Sequence, residues 1–302
     1  MDLKSKIILI YGPTASGKSD FAIKLAKKTK GEIINSDSMQ VFKELKILTA
    51  RPLKKNFQKI KHHLYGFQKS NKNFSTGDWL KIVFKKINEV KKRKKIPILV
   101  GGTGLYFKAL TEGLVEIPSI PLKCRNKIRS LQKSIGQEKF YKKLQKIDPP
   151  IIHHVNSTDV QRSIRAYEVK LFTKKSIIEW HKSTKSKFKK KEFIKLYIDY
   201  PRSELIEKIY QRTKQMFDMG VVLEVKRFLN LRISKKKSIS KAIGIAEIKD
   251  LIKKKVVEDE VIEKISIKTR QYAKRQATWS RGHMTSWKKI KPKRLNSFLE
   301  KF

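Results

Sequence analysis

Gly12, Pro13, Thr14, Ala15, Ser16, Gly17, Lys18 and Ser19 spell GPTASGKS, the residue types and spacing of a phosphate-binding loop. Its glycines let the backbone wrap N–H groups around a phosphate, and the N-terminus of a following helix adds positive partial charge. Lys18 can reach the terminal phosphate, and the Ser19 hydroxyl can ligate Mg²⁺. The chemistry is that of a ligand carrying at least a diphosphate. The loop recognises phosphates and not a base, so it does not by itself require ATP.

Further residues suit reactions at such a ligand. Asp37, in Ser36-Asp37-Ser38-Met39-Gln40, reads either as a carboxylate that accepts a proton or touches Mg²⁺, or as a turn-forming cap. Thr103 reads either as a hydroxyl donor to phosphate or as a helix N-cap. Arg162 and Arg165 share a helix face that suits phosphates or plain surface. Arg212 alone on its helix has the look of a surface or salt-bridge residue. Thr269 to Arg281 interleaves cations, amides and aromatics, which suits phosphate contact with base stacking. The same stretch also reads as an amphipathic helix with Tyr272 and Trp279 in the core.

The elements that must position these residues alternate between strand and helix. The apolar run Ile7 to Tyr11 precedes the glycine loop, and a helical period follows it. Glu32 to Ser36 reads as a second strand, Gly77 to Lys92 as a helix, Ile96 to Val100 as a third strand and Leu105 to Leu110 as a helix. That alternation predicts a parallel sheet covered by helices, with ligands beyond the carboxyl ends of the strands. From Leu122 to about Lys191 the pattern is helical, with an amphipathic helix over Asp159 to Lys170, and Phe193 to Asp199 returns to strand. The expected fold class is α/β, a P-loop NTPase-like parallel sheet with flanking helices and an inserted all-helical domain. The expected parts are 1–115 as the first piece of the core, 116–192 as the insertion, and 193–302 as the second piece with basic C-terminal helices.

Composition narrows the partner. The 302 residues carry a formal charge of +46, which favours a polyanion, nucleic acid first. Lys and Ile are both abundant, so part of the excess lysine reflects composition. Cys124 is the single cysteine, which excludes an intramolecular disulfide and a cysteine zinc cluster. The N-terminus has no signal-peptide pattern, and no segment approaches the apolar length of a membrane span. The expectation is a soluble, cytoplasmic monomer that does not engage membranes.

Taken together these segments resemble the tRNA dimethylallyltransferase family, also called tRNA isopentenyltransferases. The matching pieces are GPTASGKS, DSMQ at Asp37–Gln40, TARP at Thr49–Pro52, HHLYGF at His62–Phe67 and GGTGLYFKAL at Gly101–Leu110. DVQRSIRAYEV at Asp159–Val169, QRTKQMFDMGVVLEV at Gln211–Val225 and TRQYAKRQATWSR at Thr269–Arg281 follow in family order.

The resemblance implies transfer of a dimethylallyl group from dimethylallyl diphosphate to the N(6) amine of an adenosine. In the family that adenosine lies at tRNA position 37, next to the anticodon, and Mg²⁺ is the cofactor. It implies that Lys18, Thr103 and Arg212 neutralise the departing diphosphate and that Asp37 takes the amine proton. It further implies that Asp37, Ser38, Met39, Gln40, Thr103, Arg125, Gln161, Arg162, Ser163, Ile164 and Arg165 contact the tRNA. Lys274, Arg275, Gln276, Ala277, Thr278, Trp279, Ser280 and Arg281 match another tRNA-contacting segment. Ile245 stands where the family often has Tyr, which puts that segment's contact in doubt, and the zinc finger of eukaryotic relatives is missing. Three rivals differ in chemistry: an isopentenyltransferase for free adenine nucleotides, a small-molecule P-loop kinase and a non-catalytic RNA-binding NTPase. The helical insertion and basic C-terminal helix argue against the first.

Overall fold

A computed structural model describes residues 3, 5–53, 57–182, 184–300 and 302. Its chain divides into two compact units, one of 1–111 with 188–302 and one of 112–187. The second unit therefore begins and ends a few residues before the expected 116–192.

The first unit is built on six parallel strands: β1 (Ile7–Tyr11), β2 (Glu32–Asn35), β3 (His62–His63), β4 (Pro97–Gly101), β5 (Phe193–Ile198) and β6 (Lys288–Ile290). Their order is β3-β2-β4-β1-β5-β6, and every pairing is parallel. β1 and β4 are buried at every position, as continuous Ile/Leu/Val runs covered on both faces must be. Burying one such side chain contributes about 1.5–3 kcal/mol. Because Tyr11 pairs with both Gly101 and Tyr197, the loops after β1 and β4 leave the sheet side by side. β2 ends one pairing earlier, with Asn35 opposite Val100.

The helices of this unit are α1 (Lys18–Thr29), α2 (Thr76–Lys92), α3 (Gly104–Glu112), α7 (Arg202–Asp218), α8 (Val221–Asn230), α9 (Ile245–Ile252), α10 (Glu258–His283) and α11 (Leu295–Leu299), with α3 closing on the boundary residue. Phe21, Ala22, Leu25 and Ala26 give α1 one apolar face, and Lys30 stops it in a left-handed conformation whose N–H reaches the Ala26 carbonyl. Ser75 caps α2 reciprocally with Asp78, and Trp79, Val83, Ile87 and Val90 face the sheet. α10 buries a single stripe, Val261, Ile265, Thr269, Ala273, Gln276 and Ser280, at helical spacing.

Sequence periodicity misses two short edge strands. β3 has two residues and β6 three, too few to show an alternation. β3 is held instead by side chains: His63 Nε2 lies 2.6 Å from Glu32 Oε2, and Arg93 Nη2 donates to the same oxygen at 2.6 Å. Glu32 is buried, so the guanidinium compensates a charge that burial alone would penalise.

Every regular element among the described residues of the second unit is helical: α4 (Leu122–Ile147), α5 (Val160–Thr173) and α6 (Ile177–Lys182), with a short 3-10 turn at Pro149–His153. Gly136, at φ 75 and ψ 169, kinks α4. Asp159 caps α5 through Arg162 N, and Ile128, Phe140 and Ile164 pack α4 against α5. Among the described residues no helix is long and apolar enough to cross a membrane.

Candidate active site

The phosphate loop turns on two left-handed residues, Ala15 at φ 64 and Gly17 at φ 75. Gly17 reaches that conformation without strain. Ala15 does not, and such positions persist where a functional backbone is held by its surroundings. Alternation of this kind points successive N–H groups into one concavity, an anion nest at the start of α1. Lys18 Nζ donates to the Pro13 carbonyl at 3.1 Å, which holds the ammonium over the loop. Burial pushes Lys18 down to about 8, with the Asp37 carboxylate opposing that shift and Arg212 adding to it. The Ser16 hydroxyl is buried without a hydrogen-bond partner inside the same loop.

Arg212 enters from α7. Its Nη2 donates to Thr14 Oγ1 at 2.8 Å, and its buried Nε has no partner. Burial lowers the guanidinium to about 10, again against Asp37. It therefore stays cationic and donates toward the phosphate loop, which a lone Arg in a helical sequence does not disclose. Two unspent buried donors, a nest and two desolvated cations fit a diphosphate. Ser19 lines the same cleft, and its hydroxyl is a hard oxygen of the kind that could hold a Mg²⁺ ion.

Asp37 follows β2, and Asn35 fixes it from both sides. Asn35 Oδ1 accepts from Asp37 N at 2.9 Å, while its Nδ2 donates to the Asp37 and Leu64 carbonyls at 3.1 and 3.0 Å. Asp37 Oδ1 accepts from Met39 N at 2.9 Å and Gln40 N at 3.3 Å. The turn-cap reading of this residue is observed, one oxygen capping the turn, and the carboxylate charge also favours the charged forms of Lys18 and Arg212. Thr103 Oγ1 accepts from Ser38 N at 2.9 Å and donates to Ser38 Oγ at 3.2 Å, tying the β4 loop to the β2 loop. Gln40 spends its amide on the Thr49 and Ala50 carbonyls.

The loops pack closely enough that side chains would separate them. A Cβ on Gly101 would sit 2.1 Å from the Ser36 carbonyl oxygen, so this position takes only glycine. Gln276 of α10 bridges the loops: its Oε1 accepts from Thr14 N and its Nε2 donates to the Gly102 carbonyl, both at 2.8 Å. Sequence composition placed Gln276 in a cationic, amide-rich segment; the structure makes it a buried clamp. Gln276→Leu leaves two buried backbone groups unpaired and lets the phosphate loop drift from β4. The expected result is a loss of turnover of about 10²-fold, the usual cost of an ångström-scale misplacement. Turnover within a factor of about two of the unsubstituted protein in a steady-state assay would contradict that role.

The rest of α10 divides by exposure. Lys274, Arg275, Thr278 and Arg281 are exposed, Ala277 and Trp279 half-buried, and Ser280 buried. Trp279 packs its ring on Gly104 and stacks on His283 at 4.4 Å. Arg275 lies over Tyr272, whose phenol burial keeps protonated. In the second unit Gln161 and Arg162 are exposed, whereas Ser163 and Ile164 are turned into its packing. Arg125 and Arg165 both approach Glu168. Ile245, in place of the family tyrosine, is buried in the core formed by α8, α9 and α10.

In the first unit, the phosphate loop, Asp37, Arg212 and Tyr272 line one cleft of about 880 Å³. Cations outnumber carboxylates among its lining residues. Ile47, Leu48, Met216, Ile243 and Ile265 line it as well, so an apolar wall accompanies the charged one. Three contributors escape sequence reading: Asn35, Tyr65 and Glu224. Glu224 accepts from Lys46 N, Ile47 N and Leu48 N at 2.7 to 3.0 Å and so holds the 46–48 wall. Its only sequence signal is an unexplained carboxylate inside a family-like segment.

The IPP transferase family model matches residues 40–283. A relative from Pelagibacter ubique (strain HTCC1062), named tRNA dimethylallyltransferase, is 58% identical over 301 residues, covering 100% of this chain and 96% of its own. A second of that name, from Rhizobium etli (strain CIAT 652), is 40% identical over 287 residues, 94% of this chain and 97% of its own. Among solved structures, a eukaryotic dimethylallyltransferase acting on tRNA aligns with a TM-score of 0.82 at 28% identity, covering 95% of this chain and 74% of that one. A tRNA isopentenylpyrophosphate transferase from Bacillus halodurans aligns at 0.69 and 29% identity, covering 98% and 95%. With its parallel sheet, its phosphate loop and these matches over nearly all its length, the chain belongs to the IPP transferase family.

Proposed function

We propose that this protein is a transferase that moves the dimethylallyl group of dimethylallyl diphosphate onto the N(6) amine of the adenosine at tRNA position 37, beside the anticodon. The products are N(6)-dimethylallyladenosine and diphosphate. The observation that carries this reading is the single cleft in which a diphosphate cradle, a carboxylate and an apolar wall meet.

The chemistry follows from those three parts. The nest of the phosphate loop, Lys18 and Arg212 hold the diphosphate and take up the charge that develops as the C–O bond breaks. Thr103 keeps the β2 loop against β4: its hydroxyl is spent on Ser38, so it acts by holding the loops together rather than as a free donor to the diphosphate. Ile47, Leu48 and Met216 supply the apolar contact an isoprenyl group requires. The amine nitrogen forms the new C–N bond as the diphosphate leaves, and Asp37 accepts the amine proton. Holding both reactants in line supplies much of the rate. Ser19 would help to hold a Mg²⁺ ion, whose charge would offset that of the diphosphate. Among the described residues no group of three His, Cys, Asp or Glu side chains could hold a metal, which suits a cation ligated largely by substrate and water. A tRNA substrate fits a cytoplasmic enzyme.

The adenosine must leave the stacked anticodon loop to reach Asp37, as in other base-modifying enzymes. Arg125, Gln161, Arg162 and Arg165, with Lys274, Arg275, Thr278 and Arg281, offer the exposed or half-exposed polar groups for the RNA. A formal charge of +46 makes that binding electrostatic. The observed tRNA binding constant should fall by about 10³-fold or more between 50 and 200 mM salt, as for a protein making several phosphate contacts. A salt-independent binding constant in a filter or anisotropy titration would contradict an RNA-binding role for the lysines and arginines.

A further inference from the structure

Three arginines of the helical unit converge on one buried carboxylate. Glu168 is 1% exposed. Arg129 Nε lies 3.3 Å from its Oε1, while Arg165 Nη1 and Arg125 Nε lie 3.5 and 3.6 Å from its Oε2. Arg125 and Arg129 are one turn apart on α4, and Arg165 and Glu168 are three apart on α5, so two packed helices deliver all four groups. The guanidinium side chains remain 39% to 46% exposed. Each guanidinium carries five N–H donors and one carboxylate offers about four acceptor sites, so most of the donors stay unspent. The cluster keeps two positive charges beyond neutrality on a half-exposed face. Without Glu168 the three cations would repel one another and swing apart.

We propose that Glu168 is a positioning residue that gathers Arg125, Arg129 and Arg165 into one patch for RNA backbone phosphates, and that Arg129 thereby belongs to the tRNA-binding surface. This rests on the reading of the protein as a tRNA-modifying transferase. Guanidinium groups suit phosphate oxygens because their planar fork donates two parallel bonds. A buried anion in the middle of the patch draws all three guanidinium groups together by charge and orients Arg129 through a hydrogen bond, which lowers the entropy lost on binding.

The sign of one substitution separates positioning from bulk charge. Glu168→Gln removes a negative charge, so simple attraction would tighten tRNA binding; loss of positioning weakens it. The experiment measures tRNA affinity at several salt concentrations, kcat, and KM for tRNA and for dimethylallyl diphosphate, in the full chain. For E168Q the expected result is affinity weakened about tenfold, with KM for dimethylallyl diphosphate unchanged and partial rescue in E168D. For R129Q, whose side chain is half-exposed, the expected result is a similar weakening and a salt slope shallower by about one. Tighter binding by folded E168Q, or unaltered affinity and slope in R129Q, would overturn the proposal. Should E168Q fail to fold, R129Q decides alone. An unsubstituted protein that transfers the prenyl group while R129Q is unaffected would refute this patch and leave the enzyme reading standing; an unsubstituted protein that binds no tRNA would remove both.

Discussion

Asp37→Asn should lower kcat for transfer by about 10²–10⁴-fold while leaving tRNA affinity nearly unaltered, the range expected on losing a general base. Asparagine is the informative choice because of what Asp37 does structurally. One carboxylate oxygen accepts from Met39 N and Gln40 N, and the amide oxygen of asparagine can keep both bonds. Asp37→Ala would release those N–H groups and loosen the 38–40 turn, mixing a folding effect with a chemical one. The charge lost in Asp37→Asn also removes an attraction that opposes the desolvation of Lys18 and Arg212. The ammonium of Lys18 should then give up its proton at lower pH than in the unsubstituted protein. Single-turnover rates with pre-bound tRNA isolate the chemical step. A rate within tenfold of the unsubstituted protein would remove Asp37 as the base.

Lys18→Met should cost about 10²–10³-fold in kcat, comparable to removing one donor from a preorganised anion site. The pH dependence gives a second, independent signature. Burial lowers Lys18 to about 8 in the free protein, and only its protonated form attracts a diphosphate. As pH rises through about 8, kcat/KM for dimethylallyl diphosphate should therefore fall. Bound diphosphate holds the proton in place, so the corresponding limb of kcat should lie at higher pH. In Lys18→Met the kcat/KM limb should vanish. A kcat/KM for the unsubstituted protein that is flat from about pH 7 to pH 10 would show that Lys18 does not titrate over this cleft.

The sequence makes some parts of this site visible and hides others for physical reasons. GPTASGKS is legible because the phosphate nest is made by consecutive backbone groups, so its requirements are local. β1, β4 and α2 are legible because a strand buried on both faces needs an unbroken apolar run and a one-faced helix needs a 3.6-residue period. Arg212 is not legible from its own neighbourhood, since its role depends on α7 bringing it to Thr14, 198 residues away in sequence. Gln276 reads as one polar residue in a basic helix, and only packing against Gly102 and Thr14 makes it a clamp. Asp37 sits between these cases. Its position after β2 is readable, yet the division of its carboxylate between turn and cleft needs Asn35 and Lys18 in space. β3 and β6 were invisible because two or three residues carry no period, and β3 is held largely by the Glu32, His63 and Arg93 contacts.

Prenyl transfer to an RNA adenosine is the role we propose for the phosphate loop. The most direct measurement incubates the protein with Mg²⁺, labelled dimethylallyl diphosphate, unmodified tRNA and AMP together, followed by separation of the two acceptors. The expected result is label in tRNA, recovered after digestion as N(6)-dimethylallyladenosine from the anticodon loop, with none in AMP. Label in AMP alone, or no label in either acceptor while added ATP is hydrolysed, would contradict it.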